Sequence, residues 1–281
     1  MRFTRVVTSD SVPLDGVIFD PQDAPQGTII MVHGAGSHFY QTLFQVFGSE
    51  FATHGYRAIA INTRGHDLGV YIPNDGTPVV LGGAAWERLD ESAQDIDAFA
   101  SLAQSLAGGA GYGPLVLLGH SLGAAKSAHY LSTTNDHRIH ALVGCSGLGI
   151  RTRMRSRPAP PEERMHAVRQ LVESGHGDQL LGPEYQPRKV SAQTWADWQA
   201  WFRAPHADAS LISRIVVPIL TVYGDGEGVE ESDVKAIADT AVKSPRSDSY
   251  LVPHADHDYH GTEAVAARHI ISWITDVFPR A

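Results

Sequence analysis

Cysteine occurs once in this chain, at Cys145. That excludes an internal disulfide and a thiolate metal cluster, and leaves a buried strand residue as its plain reading. Long apolar runs are missing too: no stretch of about 18 uninterrupted apolar residues occurs, so no membrane span is expected. The opening MRFTRVVTSD lacks the apolar centre of a secretory leader, which makes the cytoplasm the expected compartment. Positive charge is in short supply, with 22 Lys and Arg against 31 Asp and Glu and a formal net charge of −9. Such a balance disfavours nucleic acid and anionic membrane surfaces as partners and favours a small molecule. No internal repeat is present.

What remains is a chain of 281 residues, 43% apolar and 19% charged, enough for one domain around one large core. Short β-branched runs alternate with stretches of helical period, the pattern of a mostly parallel sheet covered on both faces. Eight strands are expected, at 3–8, 13–19, 28–33, 57–62, 114–119, 140–145, 215–223 and 249–253. The first two, parted by SDSVPLDG, suit an antiparallel entry. The runs TIIMVH, RAIAIN, PLVLLG and IVVPILTVY are continuous, as strands buried on both faces must be. Between them Phe44, Phe47 and Phe51, and then Leu89, Ala93, Ile96, Phe99, Ala103 and Leu106, keep helical spacing. Val265, Ile270, Trp273 and Ile274 mark a last helix. Parallel strands need such crossovers.

Residues 147–209 break the rhythm, and are expected to form a helical lid inserted after the sixth strand. Within them Trp195, Trp198, Trp201 and Phe202 fall at helical spacing, a pattern that suits lid packing more than a substrate wall. Arg151, Arg153, Arg155 and Arg157 suit a solvated loop, with collection of an anionic substrate as the sharper alternative.

The chemistry concentrates in LVLLGHSLGAAKSAHY. Gly119, Ser121 and Gly123 form G-x-S-x-G directly after a strand and directly before a helix. So tight a turn strains the serine backbone and lifts its hydroxyl above the carboxyl edge of the sheet. The helix that starts at Leu122 aims its amides and positive dipole end at charge developing near Ser121. A serine nucleophile needs a base, and VPHADHDYHG after the eighth strand offers His254, His257 and His260. His257, several residues past the strand and before the last helix, is the geometric choice. A metal site built from His254, Asp256, His257, Asp258 and His260 is the competing reading, though no second ligand cluster supports it. The acid that orients the imidazole must come from ILTVYGDGEGVEES, where spacing leaves both Asp225 and Glu227 open. Two backbone donors are needed for an oxyanion. The Leu122 amide is one. The turn MVHGAGSHFY supplies the other, from Ala35 with Gly36 as the alternative, and His33 there suits a loop brace better than a base.

The motifs HGAG, NTRGHDLG, GHSLG, YGDGEG and ADH together resemble the α/β-hydrolase superfamily across most of the chain outside the lid. The resemblance implies an α/β-hydrolase fold, with a mostly parallel eight-stranded sheet and helices on both faces. It implies hydrolysis of an ester, lactone, thioester or amide without a cofactor or metal. The family nucleophile maps to Ser121, its histidine to His257, and its first oxyanion donor to Ala35. Its acid usually stands three residues after the glycine that ends the seventh strand, which makes it Glu227, where aspartate would be commoner. NTRGHDLG and the acidic helix before GHSLGAAK are similar to a subgroup that includes fungal siderophore esterases. The expected function is a serine esterase acting on a small molecule through an acyl-enzyme on Ser121. An acyltransferase or C–C hydrolase with the same triad, and a non-catalytic binding protein of the same fold, are the alternatives.

Overall fold

The computed structural model describes residues 1–72, 79–107, 113–149, 158–203 and 211–279. Among the described residues ten strands are seen, eight of them in one sheet: β1 (Arg2–Val7), β2 (Pro13–Phe19), β3 (Thr28–Val32), β4 (Arg57–Ile61), β7 (Leu115–His120), β8 (Ala141–Cys145), β9 (Ile219–Gly224) and β10 (Ser247–Val252). Their spatial order is β1-β2-β4-β3-β7-β8-β9-β10, with β2 antiparallel to both neighbours and every other pair parallel. The seven described helices are α1 (Thr42–Thr53), α2 (Ser92–Ala107), α3 (Leu122–Thr134), α4 (Glu162–Glu173), α5 (Ala192–Arg203), α6 (Glu231–Ala238) and α7 (Glu263–Val277). None among the described residues is long and apolar enough to cross a membrane.

Strand alternation divides the core. Ile29 and Met31 point to the face covered by α1 and α7, where they meet Phe44, Phe47, Ile270 and Ile274. Ile30 and Val32 point to the opposite face and pack with Ile96, Phe99 and Ala103 of α2 and with Ala124 and Ala128 of α3. Period two in the strands and period 3.6 in the helices therefore bury the same kinds of side chain on both sides of one sheet. Val265 is the exception among the expected core positions of the last helix, being 41% exposed.

Two expectations need correction. The run 215–223 is not a strand throughout: it becomes one only at Ile219, because Pro218 has no N–H to give to a ladder and contributes only its carbonyl, to Leu142 N at 2.9 Å. Ile215 is buried all the same, as a loop residue in the core. The sheet also has a small companion that the sequence reading missed, β5 (Val70–Ile72) paired antiparallel with β6 (Val80–Gly82). Its three-residue strands are too short to give a periodic signal.

After β8, the sixth strand of the main sheet, α4 and α5 form a separate layer with a small apolar cluster of Val168, Leu181, Val190, Ala192 and Trp195. Backbone and side-chain bonds tie it to the body: Ser191 N donates to the Ala85 carbonyl at 2.7 Å, and Trp86 Nε1 to the Asp178 carbonyl at 3.0 Å.

The side of the sheet that carries α2 and α3 also buries charge. Lys126 on α3 is ion-paired with Glu87, both side chains fully buried, and its Nζ donates to Thr63 Oγ1 at 3.3 Å. Removing one partner of such a pair strands the other charge, at about 3–5 kcal/mol, whereas replacing both by apolar groups of similar volume is much better tolerated. Urea unfolding of Glu87→Ala is expected to show a loss in that range, and the double variant Glu87→Leu/Lys126→Met a smaller one. A double variant less stable than Glu87→Ala would show that the pair itself, and not the stranded lysine, carries the stability.

Candidate active site

Strand β7 turns into α3 at a single residue. Ser121 holds φ 54° and ψ −124°, a conformation a non-glycine residue takes only when its surroundings enforce it. The surroundings are tight. A Cβ on Gly123 would lie 2.2 Å from the Val32 carbonyl oxygen, and one on Gly119 would lie 2.4 Å from Ala124 Cα. Both glycines are thus set by the close passage of β3, β7 and α3, and the serine between them is fixed by its own amide, which donates to the Cys145 carbonyl at 2.8 Å.

The loop after β10 brings His257 to this serine. His257 Nε2 lies 3.0 Å from Ser121 Oγ, and Nδ1 lies 2.8 Å from Glu227 Oε2. The imidazole is 46% exposed while the Glu227 side chain is 2% exposed, so the imidazole is open to the outside and the carboxylate is enclosed. Burial alone would push the Glu227 carboxyl up. The hydrogen bonds from His257, from Ser146 Oγ at 2.5 Å and from Gly224 N at 3.0 Å more than offset this, and hold it below the usual glutamate range. A carboxylate charged in this way makes Nδ1 the protonated nitrogen and leaves Nε2 to accept from Ser121. Asp225, the other acid left open by spacing, is exposed at the start of the short 3-10 turn Asp225–Glu227.

Three groups missed by the sequence reading complete this constellation. Ser146, held in the left-handed region at φ 55° just past β8, donates to Glu227 and lies 2.8 Å from Tyr259 Oη. Tyr259 is fully buried beneath the histidine loop. His120, the residue before the nucleophile, is also buried, and its Nε2 donates to the His257 carbonyl at 2.7 Å, which ties the loop to the end of β7. Burial lowers the His120 pKa below the usual histidine value. Only its place inside GHSLG could have flagged it, and nothing local marks Ser146.

The turn after β3 closes the opposite side. A Cβ on Gly34 would stand 2.9 Å from Ser121 Cβ, so this turn runs directly against the nucleophile. His33 braces it: Nδ1 donates to the Gly34 carbonyl at 2.7 Å, and Nε2 accepts from Thr63 N at 3.0 Å. Burial, reinforced by the nearby Lys126 charge, holds His33 well below its usual pKa, so it stays neutral. The peptide whose carbonyl His33 holds is the one that carries the Ala35 N–H. Leu122 opens α3, so its N–H has no carbonyl one turn back within the helix.

The residues of the alternative metal reading go elsewhere. His260 Nδ1 pairs with Asp256 at 2.8 Å and His257 with Glu227, and no group of three potential ligands forms among the described residues. Arg151, Arg153, Arg155 and Arg157 lie outside the described residues. The tryptophan stripe divides: Trp195 is fully buried in the cluster between α4 and α5. Trp198 and Phe202 instead wall a cavity of about 510 Å³ that opens on Ser121, Ala35 and Leu122. Phe202 packs on Leu122 and Ala125, which seats α5 over the elbow.

Residues 29–268 match the model of the alpha/beta hydrolase family. A 147-residue stretch, 52% of this chain, is 29% identical to an uncharacterized abhydrolase domain-containing protein of Dictyostelium discoideum, of which it spans only 14%. Among solved structures the chain is similar to a thermostable carboxyl esterase from Bacillus coagulans in complex with glycerol, at TM-score 0.72 and 15% identity over 99% of both chains. It is similar to Est1E from Butyrivibrio proteoclasticus with ferulic acid bound, at TM-score 0.69 and 15% identity over 97% of this chain and 98% of that one. A monoglyceride lipase variant from Saccharomyces cerevisiae gives 0.66 and 14% over 98% and 95%. Sheet order, elbow and family match agree, and the chain belongs to the alpha/beta hydrolase family.

Proposed function

We propose that this protein is a serine hydrolase that cleaves a carboxylic ester of a small molecule, lactones and thioesters being the same chemical class, through an acyl-enzyme on Ser121. One observation carries the reading: a single imidazole stands 3.0 Å from a strained serine hydroxyl and 2.8 Å from a buried carboxylate. The carboxyl esterase and the monoglyceride lipase among the structural relatives support it.

In this mechanism His257 Nε2 takes the Ser121 proton as Oγ attacks the carbonyl carbon. The tetrahedral oxyanion is held by the Ala35 and Leu122 amides, the first oriented by His33 and the second backed by the α3 dipole. Its collapse expels the alcohol with the proton from His257. Water activated by the same nitrogen then attacks the acyl carbon and restores Ser121. Glu227 stabilises the imidazolium in both halves, and Ser146 and Gly224 keep the carboxylate aimed. Residues 147–209 serve as the lid, with Trp198 and Phe202 as the wall that meets substrate. No step calls for a cofactor.

A fluorophosphonate probe is expected to label Ser121 alone, as read by peptide mapping, and Ser121→Ala is expected to lose about 10³-fold or more in kcat while folding normally. Unchanged turnover in Ser121→Ala would refute the mechanism.

Glu227→Gln is expected to lower kcat about 10³- to 10⁴-fold, and Asp225→Asn to leave it near wild type. Ser146→Ala, which removes one bond to a charged acceptor, is expected to lower kcat about tenfold. Were Asp225→Asn the more damaging of the two acid variants, the acid assignment would be reversed. The depressed Glu227 pKa also has a stability sign: its contribution is complete above the ordinary glutamate value and is lost as pH falls through the lower folded value. The stability gap between wild type and Glu227→Gln is therefore expected to narrow on acidification, as denaturant unfolding across that range would show.

A further inference from the structure

The charge lining the cavity above Ser121 runs opposite to that of the chain. A protein with 31 acidic and 22 basic residues places Arg188 and Arg203 there and, among the described residues, no Asp or Glu. A smaller adjoining cavity of about 190 Å³ shares Ala35, Arg188 and Trp198 with the first and adds Lys189, again without a carboxylate among the described residues.

Among the described residues, the bonds these guanidiniums make are to neutral acceptors. Arg188 Nη1 donates to the Ala35 carbonyl at 3.1 Å. Arg203 donates from Nε to Gln199 Oε1 at 2.9 Å and from Nη2 to the Pro158 carbonyl at 3.1 Å. These contacts fix the two side chains without neutralising them, and each guanidinium keeps further N–H groups to offer. Beside them stand Trp198 and Phe202, which exclude water, and the Gln186 and Gln199 amides. Arg203 is half-buried and Arg188 exposed, and a planar cation with spare donors is matched by a carboxylate, which it can grip through two parallel hydrogen bonds. A neutral ligand would leave the half-buried Arg203 charge beside the apolar walls of Trp198 and Phe202. Because the field of the whole chain repels anions on average, a cationic lining confined to this cavity discriminates among ligands rather than attracting them in general.

We infer that the substrate is an anionic ester, one that carries a carboxylate besides the scissile group, held by Arg203 with Arg188 beside the oxyanion turn. This rests on the esterase reading above. Hydrolysis of a hemiester then consumes one water: its oxygen ends on the acyl carbon, the C–O bond to the alcohol breaks, and the alcohol leaves with a proton. The second carboxylate stays bound to the guanidinium throughout, so its contribution is to binding more than to the chemical step.

The test separates this inference from the reading it rests on. Calorimetric binding to full-length Ser121→Ala needs no turnover and compares two matched pairs: monomethyl glutarate with methyl pentanoate, and carboxymethyl butyrate with ethyl butyrate. The charged member of at least one pair is expected to bind about tenfold or more tightly than its neutral match. A preference in the first pair puts the anion on the acyl side, and one in the second puts it on the alcohol side. Adding Arg203→Gln is expected to abolish the preference and Arg203→Lys to restore part of it, and added salt is expected to weaken it. In wild type the same preference is expected in KM rather than kcat. Equal binding of charged and neutral esters, or a preference that survives both Arg203→Gln and Arg188→Gln, overturns the inference even if neutral esters are turned over. Preferential binding without fluorophosphonate labelling of Ser121 would instead overturn the esterase reading and leave the anion site standing.

Discussion

A methyl group on Gly123 would sit 2.2 Å from the Val32 carbonyl, and one on Gly34 would sit 2.9 Å from Ser121 Cβ. Those two separations describe a single constraint: β3, β7 and the start of α3 meet so closely that the chain must turn from strand to helix at Ser121 with a positive φ. The turn is compatible with the fold only because the strands on either side are locked in parallel register, Val32 opposite Gly119 and Gly119 opposite Gly144. Register in turn is set by which side chains fall on which face, and a slip by one residue would exchange the two halves of the core. The strained serine is therefore held by the packing of the whole sheet. In the catalytic reading, the position of the nucleophile inherits that rigidity.

The same crowding places the polar supports out of sight of water. His33, His120, Ser146 and Tyr259 are all buried around the elbow, and each spends its hydrogen bonds on the backbone or side chains of a loop that the site needs. Neutral imidazoles at His33 and His120 follow from burial, and neutrality lets each act as a donor at one nitrogen without adding charge beside Glu227. The enclosed Glu227 carboxylate, by contrast, remains charged because three donors converge on it. Its charge is local, facing His257, whereas the cavity that opens on Ser121 is lined by Arg188 and Arg203.

How much of this was legible beforehand depends on whether the signal was local. The inner strands β3, β4, β7, β8 and β9 are buried on both faces, so they show as unbroken apolar stretches, whereas β1 at one edge is largely exposed and β10 at the other is half-buried. G-x-S-x-G announces itself because three residues and their two flanking elements are adjacent in sequence. His257 could be placed by its distance from the preceding strand, yet Glu227 and Asp225 could not be told apart by spacing, since the choice depends on which carboxylate turns inward from one tight turn. The structure turns Glu227 inward, where the Gly224 amide and Ser146 hold it. Ser146 and Tyr259 were invisible because their partners lie 81 and 113 residues away along the chain. The break at Pro218 was legible in principle, because a residue without an N–H cannot carry a run of ladder bonds through itself.

Helix α5 shows why a periodic stripe alone does not reveal a role. Trp195, Trp198 and Phe202 are spaced three and four apart and share one broad face, but that face bridges two environments. At the start of the helix it meets Val168 and Leu181 of the small cluster with α4, so Trp195 is enclosed. One turn later Trp198 still packs on that cluster but also reaches the Leu122 side, and with Phe202 it becomes the wall of the Ser121 cavity. Gln199 and Arg203, again four apart, follow beside them and turn the wall polar at its far end. The helix thus anchors itself with its first turn and presents chemistry with its last. Aromatic packing against the elbow and the cationic end of the same helix are linked by geometry, so whatever seats Phe202 on Leu122 also delivers Arg203 to the cavity.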